Sequence, residues 1–133
     1  MEIEPIIMPE RELLEVKFVQ VYLLDNNLKQ PILRYNSPDD KDETKKHMTL
    51  LGRILDEVGI KKEIVELSRN QIGINPKTDR YELCGAGRFN FKEGLFTFYG
   101  LSVDYKIKTD EGHLKDIQTR KPRFNFKVGG LFI

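Results

Sequence analysis

The feature that most constrains this chain is the alternation in RYELCGAGRFNFKEGLFTFYGLSVDY, residues 80–105. Phe89 and Phe91, then Phe96 and Phe98, stand at every second position, with other residue types between them. Successive side chains of a strand point to opposite faces, so this pattern puts one face in a core and the other in water. Lys92-Glu93-Gly94 separates the two runs. A three-residue loop ending in glycine fits a type I turn with a glycine bulge. That register pairs Phe91 with Leu95. It places Arg88 on the face of Phe96, Phe98, Gly100, Ser102 and Asp104. A two-residue turn sends Arg88 to the opposite face.

The elements around this hairpin read less sharply. LEVKFVQVYLL (14–24) is dense in β-branched and aromatic residues and predicts a strand. DNNLKQP (25–31) reads as a turn and ILRYN (32–36) as a short extended segment. Residues 37–60 predict a helix. Ser37 can cap it, Pro38 suits its first position, and Asp39 and Asp40 suit its positive end. Leu51, Ile54, Leu55 and Val58 recur at helical spacing, with Gly59 as a stop. No apolar side chain occurs from Asp39 to Lys46, so the packed part can begin as late as His47. Within 61–80, EIVEL reads as a strand or a helix end, and NPKTD as a turn. DEGHLKDIQTR predicts a short helix ended by Pro122, and RFNFKV a last strand. RFNFK occurs at both 88–92 and 123–127 without a longer repeat around it. Strands and helices without a βαβ rhythm predict an α+β fold. The expected form is a single domain over 1–133, with one main and one shorter helix on a central mixed or antiparallel sheet.

Length and charge exclude several classes. The chain has 133 residues, enough to bury a core, and 39% of them are hydrophobic. Its net charge is +1, so no global field points to nucleic acid or a membrane surface. One cysteine, Cys84, leaves no intrachain disulfide and makes a Cys-based zinc site unexpected. No apolar run has the length of a membrane span, and MEIEPIIMPERELLEV lacks a signal-peptide core. The expectation is a cytoplasmic protein with no cofactor and no metal.

Chemistry can reside in few places. His47 precedes Leu50, Leu51 and Ile54 by three, four and seven residues, at the N-terminal end of the apolar stripe. There it can act as a base or nucleophile, or be a core histidine with a local hydrogen bond. His113, close to Asp110 and Glu111, reads as solvated. Lys17 shares a strand face with Val19, Val21 and Leu23, so it reaches either water or an anion. Gly85-Ala86-Gly87 can expose successive backbone N–H groups beside the forked cation of Arg88, a suitable anion nest, or can be a bulge or bend. Ser102 can donate to a phosphate oxygen. GRFNF lacks the pattern of an RNA-recognition strand.

Taken in order, VKFVQVYL, ILRYN, a histidine opening a helix, ELCGAGRF and FYGLSVDY resemble the janus/ocnus family, which includes phosphohistidine phosphatases. The resemblance spans roughly residues 14–128, and its most specific block is 82–102. It implies a catalytic His47. It also implies a phosphate cradle of Lys17, Arg34, Arg88 and Ser102 with backbone N–H groups of Gly85, Ala86 and Gly87. The implied substrate is phosphohistidine, and to some extent phospholysine, in a protein or peptide, handled without a metal. The chain is expected to be a monomer. The chain departs from the family pattern at Ala86, where the family has glycine, and at Asp104, where it has a small residue. The segment between the helix and Gly85 is also longer. A non-catalytic module binding a phosphorylated or acidic partner is the alternative.

Overall fold

The computed structural model describes residues 3–37, 46–68, 70–103 and 105–132. Strand β1 (Leu13–Asp25) turns through Asn26-Asn27 into β2 (Leu28–Tyr35), so the expected seven-residue turn is only two residues long. Pro31 lies inside β2, which tolerates it because β2 is an edge strand. Helix α1 (His47–Val58) is followed by a separate hairpin, β3 (Ile64–Ser68) and β4 (Gln71–Ile74), in the segment that the sequence left open. Then come β5 (Tyr81–Lys92), β6 (Leu95–Tyr99), a small pair β7 (Leu101–Ser102) and β8 (Ile107–Lys108), helix α2 (Glu111–Arg120), β9 (Asn125–Val128) and β10 (Leu131–Phe132).

The central sheet runs β10-β9-β6-β5-β1-β2. Every neighbouring pair is antiparallel except β6 with β9, which α2 connects as a crossover. The fold is therefore α+β with a mixed sheet and, among the described residues, two helices, as the sequence predicts. Among the described residues no helix is long and apolar enough to cross a membrane.

Each sheet face has its own core. On one face Phe18, Phe89, Phe96, Phe98 and Phe126 meet Leu114 and Ile117 of α2. Phe18 and Phe98 pack edge to face with centroids 5.0 Å apart, a geometry that the ring quadrupoles favour. On the other face Leu50, Leu51, Ile54 and Leu55 of α1 cover Val19, Val21, Ile32 and Ala86. Burying each such side chain stabilises the fold by about 1.5–3 kcal/mol. Gly59 ends α1 at φ 74°, and Ile60 N–H donates back to Leu55 O at 2.8 Å, a Schellman closure. The expected caps Pro38, Asp39 and Asp40 lie outside the described residues. Asp110 caps α2 by accepting from His113 N–H at 3.0 Å.

Three expectations are corrected. The β5–β6 turn has two residues, Glu93 and Gly94, at φ 52° and 79°, a conformation that glycine adopts without strain. Phe91 therefore pairs with Phe96 and Arg88 with Tyr99, and Arg88 leaves the phenylalanine face. Gly85, Ala86 and Gly87 are not a turn but the interior of β5, opposite Gln20, Val19 and Phe18. A bulge at Cys84, between Leu83 and Gly85, shifts the register there. His113 is not solvated but fully buried.

Candidate functional site

The α1 face of the sheet turns polar where the helix begins. Alternation along β1 puts Lys17 on that face beyond Val19, and the ladder sets it opposite Arg88 of β5. Arg88 in turn pairs with Tyr99 of β6. Helix α1 starts directly over this row. Its N-cap, Lys46, supplies no side-chain cap, and its first turn carries no acid, so the positive end of the helix dipole is left uncompensated by the helix's own residues. The β3–β4 hairpin closes the opposite wall with Leu67, Gln71 and Ile72.

The result is a cleft of about 820 Å³, within the usual size of small-ligand sites. Lys17, Lys46 and Arg88 reach it around His47, and no acidic side chain lines it among the described residues. None of these three cations forms a salt bridge with a described residue. Glu15 is the nearby acid with an electrostatic effect. Burial first, and then Glu15, pushes the Tyr99 hydroxyl up, while Arg88 opposes them. Such a cleft attracts anions, and Arg88 brings a guanidinium fork suited to phosphate oxygens.

His47 is the first residue of α1 and 7% exposed. Its Nε2 lies 3.0 Å from Gly87 O. A carbonyl only accepts, so Nε2 carries the proton, and the basic nitrogen of the neutral ring is Nδ1. Gly87 lacks a side chain for another reason, the close passage of the β6 end. A Cβ there would lie 2.7 Å from Tyr99 O. At Gly85 a Cβ would collide with the buried Gln20 side chain. These glycines therefore serve close packing of protein on protein. The extended strand does not form the alternating backbone of an anion nest.

Other predicted residues lie elsewhere. Arg34 does not line the cleft. It is almost buried and holds Glu57 of α1 bidentately, Nε to Oε1 at 3.0 Å and Nη2 to Oε2 at 2.7 Å. It also donates to Leu33 O and Glu4 O. These contacts make it a clamp between β2, α1 and the N-terminal segment. Ser102 faces away because the chain bends at Gly100 and starts β7. It lines a neighbouring cleft with Cys84, Ile107 and Asp110, and its Oγ accepts from Tyr105 N–H at 3.3 Å. Ala86 is buried beneath α1. Burial first, then Asp110 and Glu82, pushes the Cys84 thiol far up, so it is no ready nucleophile. Asp104 lies outside the described residues.

Sequence reasoning missed Lys46, Tyr99 and the hairpin residues Leu67 and Gln71 as parts of this site. The two-residue turn was the available signal for Tyr99, since it alone puts Tyr99 beside Arg88. Among the described residues no three His, Cys, Asp or Glu side chains gather to hold a metal ion. No family model matches the chain, and no curated protein matches it.

Proposed function

We propose that the protein is a metal-independent phosphoamidase of the janus/ocnus kind that releases phosphate from phosphohistidine, or from phospholysine, in proteins or peptides. One observation carries the reading: Lys17, Lys46, Arg88 and the positive end of α1 converge around His47 in a cleft without an acidic lining residue among those described. Phosphoryl transfer asks for this, since it depends on positioning and charge stabilisation more than on covalent help.

In the proposed reaction Lys17, Lys46 and Arg88 neutralise the phosphoryl oxygens. His47 Nδ1 takes a proton from a water that attacks phosphorus in line. The P–N bond breaks, its electron pair goes to the departing imidazole nitrogen, and that nitrogen takes up a proton. In the nucleophilic variant Nδ1 itself forms the bond to phosphorus while the substrate P–N bond breaks, its electron pair and a proton going to the departing nitrogen. Water then attacks phosphorus, and the new P–N bond breaks with its pair returning to the His47 ring. The Gly87 carbonyl holds the ring in orientation for either route. Arg34 supports the cradle only by fixing α1, and Ser102 lines the neighbouring cleft and takes no part. A cytoplasmic site of action suits the single cysteine and its lack of a disulfide partner.

The test is inorganic phosphate release from a phosphohistidine peptide at neutral pH with EDTA present, wild type beside His47→Ala. Loss of turnover in the variant supports the reading, and turnover that persists moves the chemistry off His47. A second reading, a phosphate-binding module on the same fold, draws on the 7% exposure of His47. It predicts protection by inorganic phosphate against heating without turnover.

A further inference from the structure

The repeated RFNFK segment is not accounted for by the cleft. Its first copy lies on β5 and its second leads into β9, and β6 runs between them. Both copies turn their phenylalanines, Phe89 and Phe91 or Phe124 and Phe126, into the aromatic core beneath α2. Their polar residues therefore share the opposite face. Register builds rows across it: Lys17–Arg88–Tyr99 at the cleft, then Asn90–Thr97–Lys127, then Lys92–Leu95–Asn125. The core under α1 contains no residue of β6, β9 or β10, so α1 leaves this half of the sheet uncovered.

The uncovered face is cationic. Arg88 and Lys92 are exposed, and Lys127 is half-buried with Nζ 5.1 Å above the Phe132 ring. None of the three forms a salt bridge with a described residue. The opposing charges are Glu15, whose N–H donates to Asn90 Oδ1 at 2.8 Å, and Glu93 in the turn. We propose that this face docks an acidic polypeptide segment laid across β1, β5, β6 and β9. Under the phosphatase reading, on which this identity rests, that segment flanks the phosphorylated residue of the substrate. Three strand spacings span roughly 14 Å, about four extended residues. Asn90, Thr97 and Asn125 offer hydrogen bonds to its backbone. A single-stranded nucleic acid fits less well, because stacking needs successive open rings. Lys127 already occupies Phe132, and Tyr99 is the other ring in these rows.

The experiment is fluorescence anisotropy with a labelled, unphosphorylated Glu/Asp-rich peptide. Wild type is compared with Lys92→Glu/Lys127→Glu and with Lys115→Glu on α2, the opposite side of the sheet. The expected result is binding that weakens steeply with salt, falls about tenfold in the double variant and stays unchanged in Lys115→Glu. Lys127→Gln, which keeps the side chain's bulk, shows a smaller loss and guards against misfolding. Equal losses from the Lys115 control, absence of wild-type binding at low salt, or tighter binding of a labelled oligothymidylate would overturn the proposal. Phosphate release separates the two readings. Peptide binding without turnover on any phosphoamidate removes the phosphatase and leaves the docking face standing. Turnover that prefers acidic-flanked peptides over a small phosphoramidate supports both.

Discussion

The two histidines occupy matching places on opposite faces of one sheet and teach opposite lessons. His47 sits in the first turn of α1, and its Nε2 donates to Gly87 O of β5 at 3.0 Å. His113 sits in the first turn of α2, and its Nε2 donates to Val21 O of β1 at the same distance. Beyond that bond they diverge. The second nitrogen of His113, Nδ1, accepts from the Gln20 side chain at 3.1 Å. Gln20 also donates to Asp110 O and accepts from Asp110 N–H. Both ring nitrogens of His113 and both ends of the Gln20 amide are used, and burial pulls the His113 pKa down to about 4. His47 instead borders a cleft with three cations. A buried histidine that closes a hydrogen-bond network is a bolt. One that borders a charged cleft stands next to any anion that enters it.

The sharpest way to break this comparison is to remove each ring. His47→Ala is expected to lower phosphate release by roughly 10²–10⁴ with the fold intact, read by an endpoint phosphate assay beside a urea melt. His113→Ala should lower activity only in step with the folded fraction. Comparable specific activity losses per folded molecule would collapse the distinction.

Acid comes next. A neutral His113 is favoured in the folded state, since its pKa falls from 6.5 to about 4. The unfolded chain thus binds the extra proton first as pH drops. Stability contributed by the neutral ring is present above pH 6.5, declines through the interval, and is lost by pH 4. The full loss is about 3 kcal/mol. Urea unfolding at the two ends of this window checks it, and His113→Asn should flatten the dependence. An equally steep profile in that variant would mean that another group dominates.

Two arginines sharpen the contrast between clamp and cradle. Arg34→Met is expected to cost about 2 kcal/mol of stability through lost charge-assisted bonds to Glu57, Leu33 and Glu4. It should leave thermal protection by inorganic phosphate unchanged. Arg88→Met should do the reverse, with little change in the unfolding midpoint and most of the phosphate protection gone. The smallest effect belongs to the turn that aims Arg88. Gly94→Ala forces an alanine to φ near 79°, at a cost of about 1 kcal/mol. It should not change phosphate affinity unless the register slips.

Particular elements mark how far the sequence could be read. The alternating phenylalanines of β5 and β6, the stripe Leu51-Ile54-Leu55 and the aspartate before α2 act over a few residues, so strands, helix and cap were legible. Lys17 and His47 stood out in the sequence because each lies at the edge of an apolar pattern, and both border the cleft. Arg34 was not, because its partner Glu57 lies 23 residues away and nothing local distinguishes a cation bound for a carboxylate from one bound for phosphate. Gly85 and Gly87 misled for a related reason. A missing side chain looks the same whether backbone, Gln20 or a ligand fills the space.

By itself, the sequence determined an α+β domain, because period-two and helical patterns are each set by neighbouring residues. Only the tertiary structure decided which face each charged residue joins. A β5–β6 turn one residue shorter reverses the faces of β6 relative to β5, setting Arg88 beside Tyr99 instead of on the face of Phe96 and Phe98. The separate β1–β5 register sets it beside Lys17. The packing of α1 then brings Lys46 and His47 over that row, and Gly100 turns Ser102 into the adjoining cleft. Such outcomes depend on register and on partners far along the chain, and no short stretch of residues contains them.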